Sequence, residues 1–417
     1  MSEKFDILVI GATGFVGKRF IKTWLSFHQE KYSMLVTARQ SNKLASLIEN
    51  HPKIKLADLD LNNQEQVDQY VSQSYLVVNF AGPFDLLAEP VVKSCAKHGV
   101  HYLDITGEIQ FGKRMAEKYH HEANKNRAII VPFAGFDSIP SDLGVLLAAK
   151  ALHEKIIEHA EEKVDTEEKV ASIDIAYRAV GGLNGGTLAS AIDIGSKVND
   201  TDWHNPYYMI PEIQNHLTSK QWQLRIPKEK WPAMRYLPEI KKWCAPFFME
   251  PINNKVVYRA LILRPDSEKI FAKNFYYRES QIFNRSGAAP GAFIGDSVFK
   301  LGHAIMERPW GINLAKKLGP KQGEGPSEET IENGFFTADV IARGDLGTTV
   351  IKKWRGVGDP GNKATVSIIM AATEQLLDLK NTGLDKAPNH CFGVVPPSVA
   401  FGEELLAYLE KHQVTWE

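Results

Sequence analysis

Cysteine is scarce. The 417 residues hold three, Cys95, Cys244 and Cys391, far apart and without a CxxC pair. That argues against a disulfide framework or a thiolate zinc site and fits a reducing cytosol. An excess of charge is also missing. Lys plus Arg number 49 and Asp plus Glu 50, a formal net charge of -1, which is unlike the basic surplus of a nucleic-acid binder. No apolar stretch reaches the roughly 18–20 residues of a spanning helix. The run Leu143–Ala149 is bounded by Asp142 and Lys150. The opening MSEKFDILVIGATG lacks the pattern of a signal peptide and passes from an acidic start into a strand-like run. These absences predict a cytoplasmic protein that meets a membrane only at its periphery.

Several catalytic signatures are absent too. None of the 13 tyrosines has a lysine four residues later, so the Tyr-x-x-x-Lys device of short-chain dehydrogenases is not available locally. There is no HExxH, and His120-His121-Glu122 has no further histidine at metal spacing. No G-x-S-x-G elbow supports serine hydrolysis. The composition itself, 44% hydrophobic and 24% charged, is that of a globular chain with sizeable cores, and the length predicts two or three domains.

What is present begins at once. Phe5–Ile10 is a short apolar run suited to a strand buried on both faces. It ends in Gly11-Ala12-Thr13-Gly14-Phe15-Val16-Gly17, after which Phe20, Ile21, Trp24 and Leu25 recur at helical spacing. This is strand, glycine turn, helix. Such a turn needs one glycine for the bend, one for close approach of a pyrophosphate and one for helix packing. Phosphates would sit at the helix N-terminus, where free amides and the dipole favour anions. The next strand, Ser33–Ala38, leads into Arg39-Gln40-Ser41-Asn42-Lys43, and no acid lies between Tyr32 and Ile48. A carboxylate there would accept from the ribose 2′-OH of NAD. Arg39, with Ser41 and Lys43, fits a 2′-phosphate instead, and so predicts NADP(H).

The alternation continues through Lys53–Asp58, with Asp58 near the adenine edge, then Tyr75–Phe80, Val100–Thr106 and Ala128–Phe133 as strands, with helices between them. This predicts an α/β fold with a Rossmann-type doubly wound parallel sheet, whose ligands bind outside the carboxyl ends of the strands. Ala81-Gly82-Pro83-Phe84 and the loops at 104–108 and 134–142 open on that side.

Taken together, GATGFVG, VVNFAGPF, HYLDITGE and GFDSIPSDLG resemble the saccharopine dehydrogenase-like oxidoreductase family, which includes the trans-acting enoyl reductases. Counterparts continue in Gly185–Ser190, in the Trp243–Arg259 segment, in Gly323–Ser327, in Asp359-Pro360-Gly361 and in the Gly393 to Leu406 ending. The second domain looks closer to the enoyl reductase branch, although Ile331–Phe336 and Lys363-Ala364 depart from it. The resemblance implies an NADP-binding domain over 1–148 and a substrate and dimerisation domain over 149–387, with 388–417 packing back on the first.

The second domain reads as α+β with a mostly antiparallel sheet. Strands are expected at Ala171–Ala179, Lys255–Leu263, Phe275–Arg278, Thr337–Arg343, Thr348–Trp354 and Lys363–Ile369. Helices are expected at Thr187–Ser196, Ala292–Met306 and Ser398–His412. Residues 222–249 carry Trp222, Trp231, Trp243, Phe247, Phe248 and Met249. They suit ordinary core, an apolar substrate wall or a lipid-facing patch.

Enoyl reduction delivers hydride to the β-carbon, steadies the enolate oxygen and protonates the α-carbon. Groups on the cofactor-side loops that could serve are Tyr102, Asp104, Glu108, Asp137, Ser138 and Asp142. Each has a structural alternative, Asp142 as a helix cap and Asp137 with Ser138 as turn formers. Asp137, Ser138 and Tyr102 are the expected catalytic set. The leading expectation is an NADPH-dependent oxidoreductase acting on an apolar acyl or lipid-like substrate, with a homo-oligomer compatible. A saccharopine-type imine or amino-acid reductase would need converging cations, for which Arg178, Arg259 and Arg278 are available. A silent NADP-binding scaffold is the third reading.

Overall fold

A computed structural model describes residues 4–28, 30–49, 51–160, 168–182, 184, 185, 188, 205, 207–210, 234–283, 287–306, 308–321 and 323–417. Two seven-stranded sheets organise them. The first contains β1 (Phe5–Ile10), β2 (Met34–Ala38), β3 (Ile54–Asp58), β4 (Ser74–Asn79), β5 (His101–Asp104), β6 (Ile129–Val131) and β13 (Gly393–Val394). Its order is β13-β6-β5-β4-β1-β2-β3, and every pairing is parallel. The order reverses direction beside β1, as in a doubly wound sheet. Helices on both faces explain why Leu8, Val9, Leu76, Val77 and Val78 are all fully buried. The helix Phe15–His28 is held by Phe20 and Trp24, stacked at 5.6 Å, with Phe80 at 5.1 Å from Phe20. Burial of each of the two helix rings contributes about 2–3 kcal/mol.

The second sheet has the order β14-β12-β11-β7-β10-β9-β8. It consists of β7 (Val170–Val180), β8 (Arg235–Leu237), β9 (Lys242–Pro246), β10 (Phe271–Gln281), β11 (Phe335–Gly344), β12 (Thr349–Val357) and β14 (Val414–Trp416). β7 and β10 run parallel, and the other pairs are antiparallel. The helix Ile139–Ala160 starts beyond β6 and packs along β7, β11 and β12. Its fit is close: a Cβ on Gly144 would lie 2.8 Å from the Trp354 indole nitrogen. It continues unbroken through Ala148 and Ala149.

The C-terminal segment joins both sheets, with β13 on β6 and β14 on β12. Between them the expected single helix, Ser398–His412, is two, Pro397–Phe401 and Leu405–Lys411. Gly402 between them has φ +59, which no helix continues through. Two expected strands are also helical. Lys255–Leu263 lies within the helix Glu250–Leu263, and Lys363–Ile369 leads into the helix Thr365–Thr382. Neither segment shows a clean polar face, so alternation could not tell a buried strand from a buried helix. Pro251 at the start of the first supplied the missing signal. The expected helix at Thr187–Ser196, except for Leu188, and the residues Trp222 and Trp231 lie outside the described residues. Among the described residues, no helix is long and apolar enough to cross a membrane and no cluster of His, Cys, Asp and Glu suits a metal ion.

One ionic contact ties the C-terminus to the first helix. Glu374 Oε1 faces His28 Nε2 at 2.9 Å and His412 Nε2 at 2.6 Å. Burial pushes the Glu374 carboxyl up, but the two imidazoles outweigh it and hold the group at about 2. A depressed carboxyl favours folding above its unfolded value and loses that contribution as pH falls through the depressed one. Wild-type protein is therefore expected to lose melting temperature between about pH 4.5 and about pH 2 through this contact. Glu374→Gln should lose less over that window and start lower at neutral pH, by about 1 kcal/mol. Thermal unfolding across pH measures both, and parallel curves for the two proteins would contradict it.

Candidate active site at the seam of the two sheets

The glycine turn is built as its chemistry requires. Gly11 has φ +75, and a Cβ there would meet Ala81 N at 2.6 Å. A Cβ on Gly17 would meet Gly11 O at 2.6 Å. Larger residues would thus separate the first turn from the end of β4 and the helix from the turn. The first helical turn carries no acid. Lys18 N donates to Gly14 O at 3.0 Å, so the amides of Phe15, Val16 and Gly17 precede the first intrahelical bond and point where an anion would sit. The turn therefore fits a pyrophosphate. The Phe15 ring lies against Gly325, where a Cβ would approach to 2.5 Å. The Gly323–Ser327 loop thus closes over the start of the helix. Val16 is buried and faces the core, so its contribution to the site is its backbone.

At the end of β2, Arg39 and Lys43 are exposed and have no ion pair among the described residues. Ser41 and Asp58 come together. Asp58 Oδ1 accepts from Ser41 N at 2.8 Å and Ser41 Oγ at 2.7 Å. These bonds, the backbone one foremost, hold the Asp58 carboxyl below its usual range. Asp58 thus fixes the turn that follows Arg39 and leaves both cations unengaged.

At the ends of β4 and β5 several predicted groups are spoken for. Ala81 N donates to Asn79 Oδ1 at 2.9 Å, and Asn79 Nδ2 donates to the Tyr102 hydroxyl at 3.1 Å. Tyr102 in turn donates to Asp104 Oδ2 at 2.8 Å. Tyr102 is fully buried, and both roles of its hydroxyl are filled within the protein. Its expected catalytic role is corrected on that ground. Asp104 also accepts from Thr106 N and Phe133 N at 3.0 and 3.2 Å. Burial dominates and pushes its carboxyl up to about 7. Glu108 accepts from Phe84 N at 3.1 Å and Asp85 N at 2.7 Å, capping the short helix Phe84–Leu87. The Phe84 ring is buried, near Phe111 and over Gly82. Of the loop Ala81-Gly82-Pro83-Phe84, only the first three residues are partly accessible.

Asp137 differs from all of these. It follows β6, is partly accessible and has no hydrogen bond within the described structure. Burial pushes its carboxyl up to about 6. A Cβ built on Gly107 would lie 3.6 Å from Met249 Cε and 4.0 Å from Asp137 Oδ2, so these groups converge where β5 and β6 end. Phe247, two residues before Met249, stacks on Tyr177 at 4.5 Å and 20°. Met249 brings an apolar group beside Asp137, while the Tyr177 hydroxyl is near enough to feel its charge.

Ser138, by contrast, is fully buried and donates to Asn253 Oδ1 at 2.9 Å. Its expected role as a proton donor is corrected on that ground, because its hydroxyl is buried and already donates within the protein. Asn253 Nδ2 donates to Ser141 Oγ and Glu279 Oε2, both at 3.0 Å, and Ser141 Oγ lies 2.7 Å from the Tyr177 hydroxyl. Tyr277 donates to Glu279 Oε1 at 2.5 Å. Burial brings the Glu279 carboxyl up to about 7 against these bonds. This network lies behind Asp137. No motif pointed to it, since its members come from four elements distant in sequence. Asp142 caps a helix, but not its own: it accepts from Ser398 N at 2.7 Å and Ser398 Oγ at 2.9 Å.

The three arginines considered for a carboxylate substrate do not converge here. Arg259 is buried and donates to the carbonyls of Met209 and Val394, both at 2.9 Å. Arg178 lies over Phe335 and Arg278 over Tyr276. Strand alternation sets both of the latter on the sheet face opposite Tyr177, Tyr277 and Glu279.

Comparison with known proteins agrees with this geometry. Residues 7–131 match the saccharopine dehydrogenase NADP binding domain. A Mycobacterium tuberculosis protein named provisionally as a trans-acting enoyl reductase is 29% identical over 422 residues, spanning 98% of this chain and 96% of its own. The trans-acting enoyl reductase of Mycobacterium bovis is 28% identical over 427 residues, with the same coverage. The apo saccharopine dehydrogenase (L-Glu forming) of Saccharomyces cerevisiae, 12% identical, superposes with a TM-score of 0.51 over 99% of both chains. This chain therefore carries a saccharopine dehydrogenase-type NADP-binding domain on a saccharopine dehydrogenase-like fold, and it is an NAD(P)-dependent oxidoreductase.

Proposed function

We propose that the protein reduces the activated carbon–carbon double bond of an apolar acyl substrate, an enoyl thioester or a related lipid, in the cytoplasm. The observation that carries this reading is Asp137, an unpartnered carboxyl at about 6, facing Met249 beside the Phe247–Tyr177 stack. The relatives named trans-acting enoyl reductases support it, and so does the absence of converging arginines from the described seam.

The amides of the glycine turn would hold the pyrophosphate, with Thr13 and Gly14 at its edge. Arg39, assisted by Lys43, would hold the 2′-phosphate. NADPH, when bound, supplies hydride. The chain supplies the rest. Phe247 and Met249 exclude water and accept the alkyl part of the substrate. Asp137 holds a proton for the substrate's α-carbon. Its value near neutrality suits proton transfer, and an apolar substrate that displaces water raises the protonated fraction further. Ser138, tied to Asn253, keeps the Asp137 loop in place.

Two outcomes are expected. Arg39→Ala should weaken NADPH binding by about 10–100-fold and leave NADH binding unchanged; calorimetric titration with both coenzymes checks this, and an unaltered preference would refute the phosphate assignment. A donor must carry its proton, so turnover of a 2-enoyl thioester should fall as pH rises through about 6. Asp137→Asn should lower kcat by about 10²–10⁴ and abolish that limb, with NADPH affinity retained. Full turnover with the pH limb intact would show that the proton comes from elsewhere.

A further inference from the structure

Two consecutive helices, Ala289–Met306 and Pro309–Leu318, turn apolar side chains to the outside. On the first, Phe293, Ile294, Val298 and Leu301 are each more than half exposed. Their spacing places them on one side, opposite the buried Ala292 and Asp296. On the second, Trp310, Leu314 and Leu318 recur at every fourth residue, and all are exposed. The first helix packs by its other side on β9, and the two helices pack on each other. Isolated exposed leucines need no explanation, but two adjoining stripes of large residues mark an interaction surface.

The charge around these stripes identifies the partner. Residues 289–321 hold five Lys and Arg (Lys300, Arg308, Lys316, Lys317 and Lys321) against Asp296 and Glu307, while the whole chain is at -1. Lys317 and Lys321 are exposed beside the Trp310 stripe, and Lys300 pairs with Asp296 at 2.8 Å. A symmetric contact between two copies would set this basic flank against itself, which like charges disfavour. An anionic bilayer surface complements it. Amphipathic helices with large apolar residues on one side and lysines at the margin lie in such interfaces, and tryptophan sits at headgroup depth.

We propose that these two helices seat the protein on anionic membranes, with their apolar stripes at the acyl–headgroup boundary and Lys317 and Lys321 among the headgroups. The inference is independent of the reaction proposed above, because the surface and the Asp137 seam share no residue.

Co-sedimentation of the full chain with vesicles tests it, using phosphatidylserine–phosphatidylcholine mixtures and phosphatidylcholine alone. Wild-type protein should pellet with the mixed vesicles, and less so with phosphatidylcholine or at high salt. Ile294→Asp with Leu301→Asp, and Leu314→Asp with Leu318→Asp, should each weaken vesicle binding by about 10-fold or more. Lys317→Gln and Lys321→Gln should each weaken binding to the mixed vesicles by about 5-fold at low salt and leave binding to phosphatidylcholine alone unchanged. These residues are exposed, so NADPH titration, or circular dichroism if NADPH does not bind, should report intact folding in every variant. No pelleting with phosphatidylserine, or pelleting indifferent to the aspartate variants, would overturn the proposal. So would a wild-type dimer in sedimentation velocity that the aspartate variants split, which would assign the stripes to a second copy. Retained vesicle binding by a protein inactive on every enoyl substrate would leave this inference standing and sink only the proposed reaction.

Discussion

The first turn of the Ile139–Ala160 helix is pinned at three successive points, and the position of the candidate site follows from them. Ser138 reaches Asn253 on the helix Glu250–Leu263. Ser141 reaches Glu279 on β10 and Tyr177 on β7. Asp142 reaches Ser398 in the C-terminal segment. The start of this helix therefore takes its orientation from the helix Glu250–Leu263, the second sheet and the tail that returns. Asp137, immediately before this turn, inherits a fixed place without a hydrogen bond of its own. Buried polar networks stabilise little when incomplete and specify one arrangement when satisfied. Here the specified feature is the seam.

The seam also sorts its carboxyls. Asp104, Asp142 and Glu279 are all pushed up to about 7, with burial the largest cause. Each is saturated with donors and serves the structure. Asp137 is pushed to about 6 by burial alone, with no donor to bring it down. A raised carboxyl in the folded state costs stability above its unfolded value, because folding must then bury a charge. Asp137 bears that cost with no hydrogen-bonding partner to offset it, which makes it the candidate for the proton transfer proposed above. The Glu374 contact with His28 and His412 has the opposite sign and contributes stability at neutral pH.

Much of the nucleotide-binding half was legible in the sequence because its constraints are local. Gly11, Gly14 and Gly17 occupy positions where backbone contacts leave little or no room for Cβ, and short apolar runs between glycine and proline read as strands. Arg39 was legible as a cation where an acid is usual. The second half was less so. Lys255–Leu263 and Lys363–Ile369 are buried on nearly every side, even at Lys255 and Arg259, and periodicity carries little information when no face is exposed. The roles of Tyr102 and Ser138 failed for a different reason. Tyr102 lies within β5 and Ser138 on an expected loop, but both hydroxyls turn inward, to Asp104 and to the distant Asn253, and side-chain direction is set by such partners. Glu279, Asn253 and Tyr177 could not have been assembled from spacing at all. Phe247 and Met249, noted only as part of an aromatic stretch, reach the site because the helix beginning at Glu250 is anchored to the same network.

The most direct measurement is the protonation of Asp137 itself. Carbon-13 NMR of protein labelled at aspartate carboxyls, with the resonance assigned by its loss in Asp137→Asn, gives the titration of this one group. The account predicts a midpoint near 6 in the free protein, moving higher when NADP and a saturated acyl thioester product occupy the site together. A carboxyl that titrates near 4 and ignores both ligands would contradict it.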